Sequence, residues 1–112
     1  MVTFEAIKAN PAIRTYIEKE DEALIALGYT EHSFPHVGKV ANTAGKILRE
    51  LGYPAREAEL AEIAGYLHDI GNIVNRSEHA QSGAVMAFRI LDNMGMEPAE
   101  IAAIMGAIGN HD

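Results

Sequence analysis

Prolines, glycines and asparagines punctuate this 112-residue chain at intervals that suit helices, and the segments between them do not alternate as strands do. Asn10 followed by Pro11 is typical of a helix start, and Gly28 is typical of the end of that helix. Gly95 ends a later predicted helix, and Pro98 opens the next. The sequence therefore predicts an all-α fold, a compact bundle of five to six helices.

Apolar residues recur at three- and four-residue steps within the predicted helices, so we expect each stripe to face a common core. Ser33 and Ser77 are the predicted N-caps of the third and fifth helices. The polar run 18–22 in the second helix is predicted to be solvated. The predicted stripes are Ile13, Ile17, Leu24 and Leu27 in the second helix, Val40, Ala44, Ile47 and Leu51 in the third, Leu60, Ala64 and Leu67 in the fourth, Gly83, Ala87 and Leu91 in the fifth, and Ile101, Ile104 and Ile108 in the sixth.

Composition excludes several classes of protein. The length and the 48% hydrophobic content predict a single helical domain over residues 1–112. Because the chain has no cysteine, any metal must be held by nitrogen and oxygen. A net charge of -7 is the wrong sign for nonspecific binding to nucleic acid or to an anionic membrane. With no long apolar run and with acidic Glu5 near the N-terminus, we expect a cytoplasmic protein.

Histidines lie at the ends of four predicted helices, on their apolar faces. His36 and His79 fall in first turns, and His68 and His111 fall in last turns. Burying four imidazoles together without partners costs on the order of 1–3 kcal/mol for each unsatisfied polar atom, a cost that a shared metal removes. Asp69 adds an anionic oxygen beside His68. Imidazole with carboxylate predicts one or two divalent transition metal ions: iron, manganese, zinc, cobalt or nickel.

His36 and the doublet His68 and Asp69, within the sequence LHDIG on an all-helical chain, resemble the HD-domain superfamily of metal-dependent phosphohydrolases, over about residues 29–112. The resemblance implies that His36, His68 and Asp69 are metal ligands. In the subset with a second metal, it implies that His79 and His111 bind the second ion and that Asp69 bridges the two. Asn72 stands where many relatives have a lysine.

The activity that the resemblance implies is hydrolysis of a phosphate ester of a nucleotide or related small metabolite by metal-activated water, with Asp69 as a catalytic residue. Lys39 and Arg76 are candidates for neutralising the substrate phosphate, and His32 is a candidate proton or hydrogen-bond donor at the rim. A di-iron oxygenase and a non-catalytic metal-binding module remain alternatives, because the same ligands serve all three.

The family pattern continues to a downstream Asp that this sequence does not reach, so we expect a version of the domain without the usual C-terminal helices. The sixth helix would then expose its apolar face, formed by Ile101, Ile104, Met105 and Ile108. We expect a homodimer to cover this face, with weak or no hydrolase activity in the short chain.

Overall fold

Helices account for nearly all of the regular structure in the computed structural model, which describes residues 1–29 and 34–111. No strand occurs within these two ranges, which confirms the predicted all-α fold. A 3₁₀ segment, Ile70–Ile73, lies between the fourth and fifth α-helices. The α-helices of the described ranges are α1 (Phe4–Ala9), α2 (Pro11–Ala26), α3 (Phe34–Glu50), α4 (Ala55–Leu67), α5 (His79–Asn93) and α6 (Pro98–Gly109).

Several helix ends follow the local signals in the sequence. The side chain of Asn10 accepts hydrogen bonds from the backbone N–H groups of Ala12 and Ile13 at the start of α2. The predicted cap at Ser77 is wrong, because α5 begins at His79 and is preceded by Glu78 in a left-handed conformation with φ of 59°. The predicted cap at Ser33 lies outside the described residues.

The inward face of α3 differs from the predicted stripe. Ile47 and Leu51 are exposed, at 52% and 68%, and Val37, Ala41 and Gly45 are buried instead. Small residues on this face allow α3 and α4 to approach closely: a Cβ placed on Gly65 of α4 would lie 3.1 Å from the Cα of Ala41. Close packing of small side chains therefore decides the orientation of α3, and the larger aliphatic residues are left outside. Leu27 is also exposed, contrary to the prediction for the second helix.

The apolar face of α6 is already covered within the chain. Ile101, Ile104 and Ile108 are buried, because α6 packs against both α4 and α5. The expectation that this face is exposed is therefore wrong. The homodimer stays a prediction, but covering the apolar face of α6 is no longer a reason for it. None of the helices in the described part of the chain has the length and apolar character needed to cross a membrane.

A sharp break after α4 positions the functional residues. The chain leaves α4 at His68, turns through Asp69 into the 3₁₀ segment, and passes close to the start of α5. Gly71 makes this approach possible, since a Cβ there would overlap the carbonyl oxygen of His79 and the amide nitrogen of Gly83. The break therefore brings the end of α4 and the first turn of α5 to one end of the bundle.

Candidate metal centre

Four histidines from four helices meet around one carboxylate at this end of the bundle. His36 lies in the first turn of α3, and His68 immediately follows α4. His79 is the first residue of α5, and His111 follows α6. The structure therefore brings together all five residues that the sequence predicts as metal ligands, with buried Asp69 between the rings.

The two carboxylate oxygens of Asp69 face different histidine pairs. Its Oδ2 lies 3.0 Å from the Nε2 of His68 and 3.8 Å from the Nε2 of His36. Its Oδ1 lies 3.4 Å from the Nε2 of His79 and 3.5 Å from the Nε2 of His111. Within each resulting triad, the potential ligand atoms lie within 4.8 Å of one another. The arrangement offers two adjacent sets of potential ligands that have Asp69 in common.

Backbone carbonyls fix the orientation of three of the rings. The Nδ1 of His68 lies 2.6 Å from the carbonyl oxygen of Gly65, and that of His79 lies 3.1 Å from the carbonyl of Arg76. The Nδ1 of His111 contacts the carbonyl of Ile108 in the same way. Because a carbonyl only accepts, each Nδ1 donates its hydrogen, and the Nε2 of the neutral ring keeps a free lone pair. This is the tautomer in which a histidine binds a metal through Nε2.

The donor set fits a transition metal. Neutral imidazole nitrogens with one carboxylate suit iron, manganese, cobalt, nickel or zinc, and the calcium preference for an all-oxygen site is not met. The Nε2 atoms of His79 and His111 lie 3.1 Å apart. Metal–nitrogen bonds are about 2.0–2.1 Å long, so two imidazoles bound to one ion have their nitrogens roughly 3 Å apart. The first triad, with His36 half-exposed, is the more open to solvent.

Electrostatic contacts couple Asp69 to its neighbours. Burial alone would lower the pKa of His68, but the hydrogen bond and negative charge of Asp69, with the carbonyl of Gly65, raise it overall. A second carboxyl group, that of Glu20 on α2, is only 1% exposed, and its pKa responds to the charges of Asp69 and His68. Burial, followed by the negative charges of Asp69 and Asp21, raises the pKa of Glu20 to about 8.

Sequence reasoning missed Glu20, because it lies in the polar run that we predicted to be solvated. The signal was present in its position: Glu20 is three residues after Ile17 and four before Leu24, both buried. Residues at these steps share one helix face. The prediction of a solvated run is therefore wrong for Glu20 and holds for exposed Glu18, Lys19 and Glu22.

The other predicted site residues take different positions. Lys39 is exposed on α3 and lines the same surface groove as His36. Arg76 is half-buried; its Nη1 donates to the Oδ1 of buried Asn72 at 3.2 Å, and its guanidinium lies 4.9 Å from the centroid of the Tyr29 ring. Asn72 donates from its side chain to the carbonyl of Asp69. His32 lies outside the described residues.

Comparison with known proteins agrees with this geometry. The family model described as the HD domain matches residues 33–111. An uncharacterized protein of Methanocaldococcus jannaschii is 30% identical over 109 residues, an alignment that covers 84% of this chain and 42% of that protein. The chain therefore spans less than half the length of this curated relative. No solved structure matches the chain.

Proposed function

The chain belongs to the HD domain family, and from this we propose that it is a metal-dependent phosphohydrolase acting on a phosphate ester of a nucleotide or related small metabolite. One observation carries the proposal: the two oxygens of Asp69 face separate histidine pairs. A carboxylate in this position suits a bridge between two ions. Pairs of metal ions that share a ligand are frequent in enzymes that hydrolyse phosphate esters.

The residues that would hold the ions divide into two sets. His36, His68 and Asp69 would hold one ion, and Asp69, His79 and His111 the other. When bound, divalent ions lower the pKa of water toward neutrality and neutralise the phosphoryl oxygens of the substrate.

Preorganisation is the protein's own contribution at this centre. The backbone carbonyls of Gly65, Arg76 and Ile108 hold three rings with Nε2 directed at Asp69, so little rearrangement accompanies ion binding. Asp69 is itself fixed by the fold, because its carbonyl accepts from Asn72 and its side chain is buried. A rigid ligand set of this kind would hold bound ions and substrate in the relative positions that the reaction requires.

A substrate phosphate requires local positive charge, because the protein as a whole carries a charge of -7. Arg76 is the better placed cation. Its carbonyl oxygen accepts from the Nδ1 of His79, and its guanidinium is oriented by Asn72 and Tyr29. Lys39 would act from the groove next to His36, at the more exposed triad. We assign both residues to binding of the anionic substrate.

Phosphate release with and without metal tests the proposal. Protein loaded with Mn²⁺ or Co²⁺ should release inorganic phosphate from p-nitrophenyl phosphate or from members of a panel of nucleoside phosphates, and a chelator should abolish the release. The variant Asp69→Asn should be inactive. Protein that carries two ions and releases phosphate from no member of the panel would contradict the proposal. Oxygen consumption by a form containing two irons would favour the oxygenase alternative.

A further inference from the structure

Glu20 is a buried acidic residue that no described cation neutralises at hydrogen-bond distance. It lies on α2, outside the matched region 33–111, and is 1% exposed. Its Oε1 atom is buried and has no hydrogen-bond partner among the described residues. The ionised form of a carboxyl group in such a position is costly to bury, because no described donor reaches its buried Oε1 atom. A buried group of this kind requires a specific explanation.

The fold carries Glu20 to the metal centre. Helix α2 packs against the 3₁₀ segment that directly follows Asp69. Glu20 lies on the buried face of α2 between Ile17 and Leu24, and among the described elements the 3₁₀ segment makes the most extensive contact with α2. Glu20 is not within the 4.8 Å grouping of either triad. It therefore lies on the face of α2 that packs against the segment after Asp69, outside both sets of potential ligands.

The charge of the potential ligands explains why a carboxyl group at the position of Glu20 would be useful. The four histidines bind metal as neutral rings, so Asp69 is the only negative charge among the five potential ligands. Two divalent ions would bring four positive charges into a half-buried site. A second carboxyl group nearby, once ionised, would offset part of that excess, and bound ions would favour its ionised form, which burial disfavours in the metal-free chain.

We propose that Glu20 is a further residue of the metal centre, a positioning carboxylate that strengthens ion binding at the triad of His36, His68 and Asp69 from outside its ligand set. The inference rests on the metal centre of the proposed function. It adds to that function a contribution from α2, a helix that lies outside the family match. Groups outside a ligand set that orient the metal ligands commonly change metal affinity by 10–100-fold.

Co²⁺ binding by matched variants tests the inference. Glu20→Gln removes the capacity to carry a negative charge and keeps the shape, and Glu20→Leu replaces the carboxyl with an apolar side chain suited to the buried position. Glu18→Gln is the control, because Glu18 is exposed on the same helix and the variant likewise removes one ionisable carboxyl group. Affinity is measured by competition with a chelator and by the visible spectrum of bound Co²⁺. Thermal unfolding of each metal-free variant is measured in parallel.

We expect both Glu20 variants to bind Co²⁺ about tenfold or more weakly than the wild type, with metal-free melting temperatures equal to or above it. Glu18→Gln should stay within about twofold, the response expected for an exposed, screened charge. Unchanged Co²⁺ affinity in either Glu20 variant would overturn this inference and leave the proposed function standing. Lower affinity matched by lower metal-free stability in both variants would overturn it in favour of a structural role. A wild-type protein that binds no Co²⁺ would instead overturn the metal centre of the proposed function, and the inference with it.

Discussion

The Nε2 atoms of His79 and His111 lie 3.1 Å apart, while the Nδ1 atom of each ring donates to a backbone carbonyl. In neutral rings of this tautomer, two lone pairs face each other, and such a contact is favourable only when a cation or a proton lies between them. Asp69 lies within 3.5 Å of both nitrogens and favours that positive charge. The pair and Asp69 therefore form a group that could hold a cation.

Removing one ring of this pair should remove one ion. In His111→Gln, only Asp69 and His79 of the second triad remain, whereas the triad of His36, His68 and Asp69 stays complete. We expect the metal content to fall from two ions per chain to one. His36→Gln is the reciprocal variant and should also retain one ion. Elemental analysis after gel filtration gives the count, and two ions retained in His111→Gln would remove this histidine from the site.

Loss of the Arg76 guanidinium should weaken substrate binding more than turnover. Arg76→Ala deletes a charge oriented by Asn72 and Tyr29, and we expect KM to rise about tenfold or more with a smaller change in kcat. Arg89→Ala is the control, because Arg89 is exposed on α5. Steady-state kinetics with the best substrate of the panel measure both variants. Equal KM values for Arg76→Ala and the wild type would remove Arg76 from phosphate binding.

Local signals were sufficient to predict most of the architecture. Asn10 and Pro98 mark true helix starts, and the histidines at helix ends converge as their phases indicate. The features that local signals did not predict depend on contacts between helices. Small Ala41 packs against Gly65 and turns α3 so that Ile47 remains outside, a choice that helical periodicity alone does not determine. Glu20 was missed because its polar neighbours concealed its position on the buried face of α2.

Gly71 should tolerate no side chain. In Gly71→Ala the new Cβ overlaps backbone atoms of His79 and Gly83, which cannot move as a flexible side chain can. We expect a loss of about 1–3 kcal/mol or more in the free energy of unfolding, and lower metal affinity because α5 must shift. Gly106→Ala is the control on α6, where a Cβ has open space, and it should stabilise by about 0.5–1 kcal/mol. Urea denaturation measures the stability of both variants. Equal stabilities would contradict the close approach of Gly71 to the backbone of His79 and Gly83.

Arg56 should stabilise the fold mainly above the acid range. Its guanidinium donates to both carboxylate oxygens of Glu100, to Glu59 and to the carbonyl of Val2, and so connects α4 to α6 and to the N-terminus. The hydrogen bond from Arg56 lowers the pKa of Glu100. Burial alone would raise the pKa of Glu59, but hydrogen bonds from the Phe4 N–H and from Arg56 lower it overall.

Groups with a lowered pKa contribute stability above their ordinary pKa of about 4.5 and lose it as the pH falls through the folded value. We therefore expect Arg56→Met to lose about 1–3 kcal/mol at pH 7 and progressively less at acid pH. Lys46→Met, a change at an exposed position of α3, is the control. Urea denaturation at several pH values measures both, and a deficit that is the same at pH 3 and pH 7 would contradict the assigned ion pairs.

The metal content of the wild-type protein tests the central claim most directly. Protein purified without chelator and exchanged into metal-free buffer is analysed for iron, manganese, cobalt, nickel and zinc, beside Asp69→Asn and the exposed control Asp92→Asn. The shared carboxylate predicts two ions per chain in the wild type and in Asp92→Asn, and none in Asp69→Asn. A wild-type chain that holds no transition metal, or an Asp69→Asn variant that keeps a full equivalent, would contradict the account.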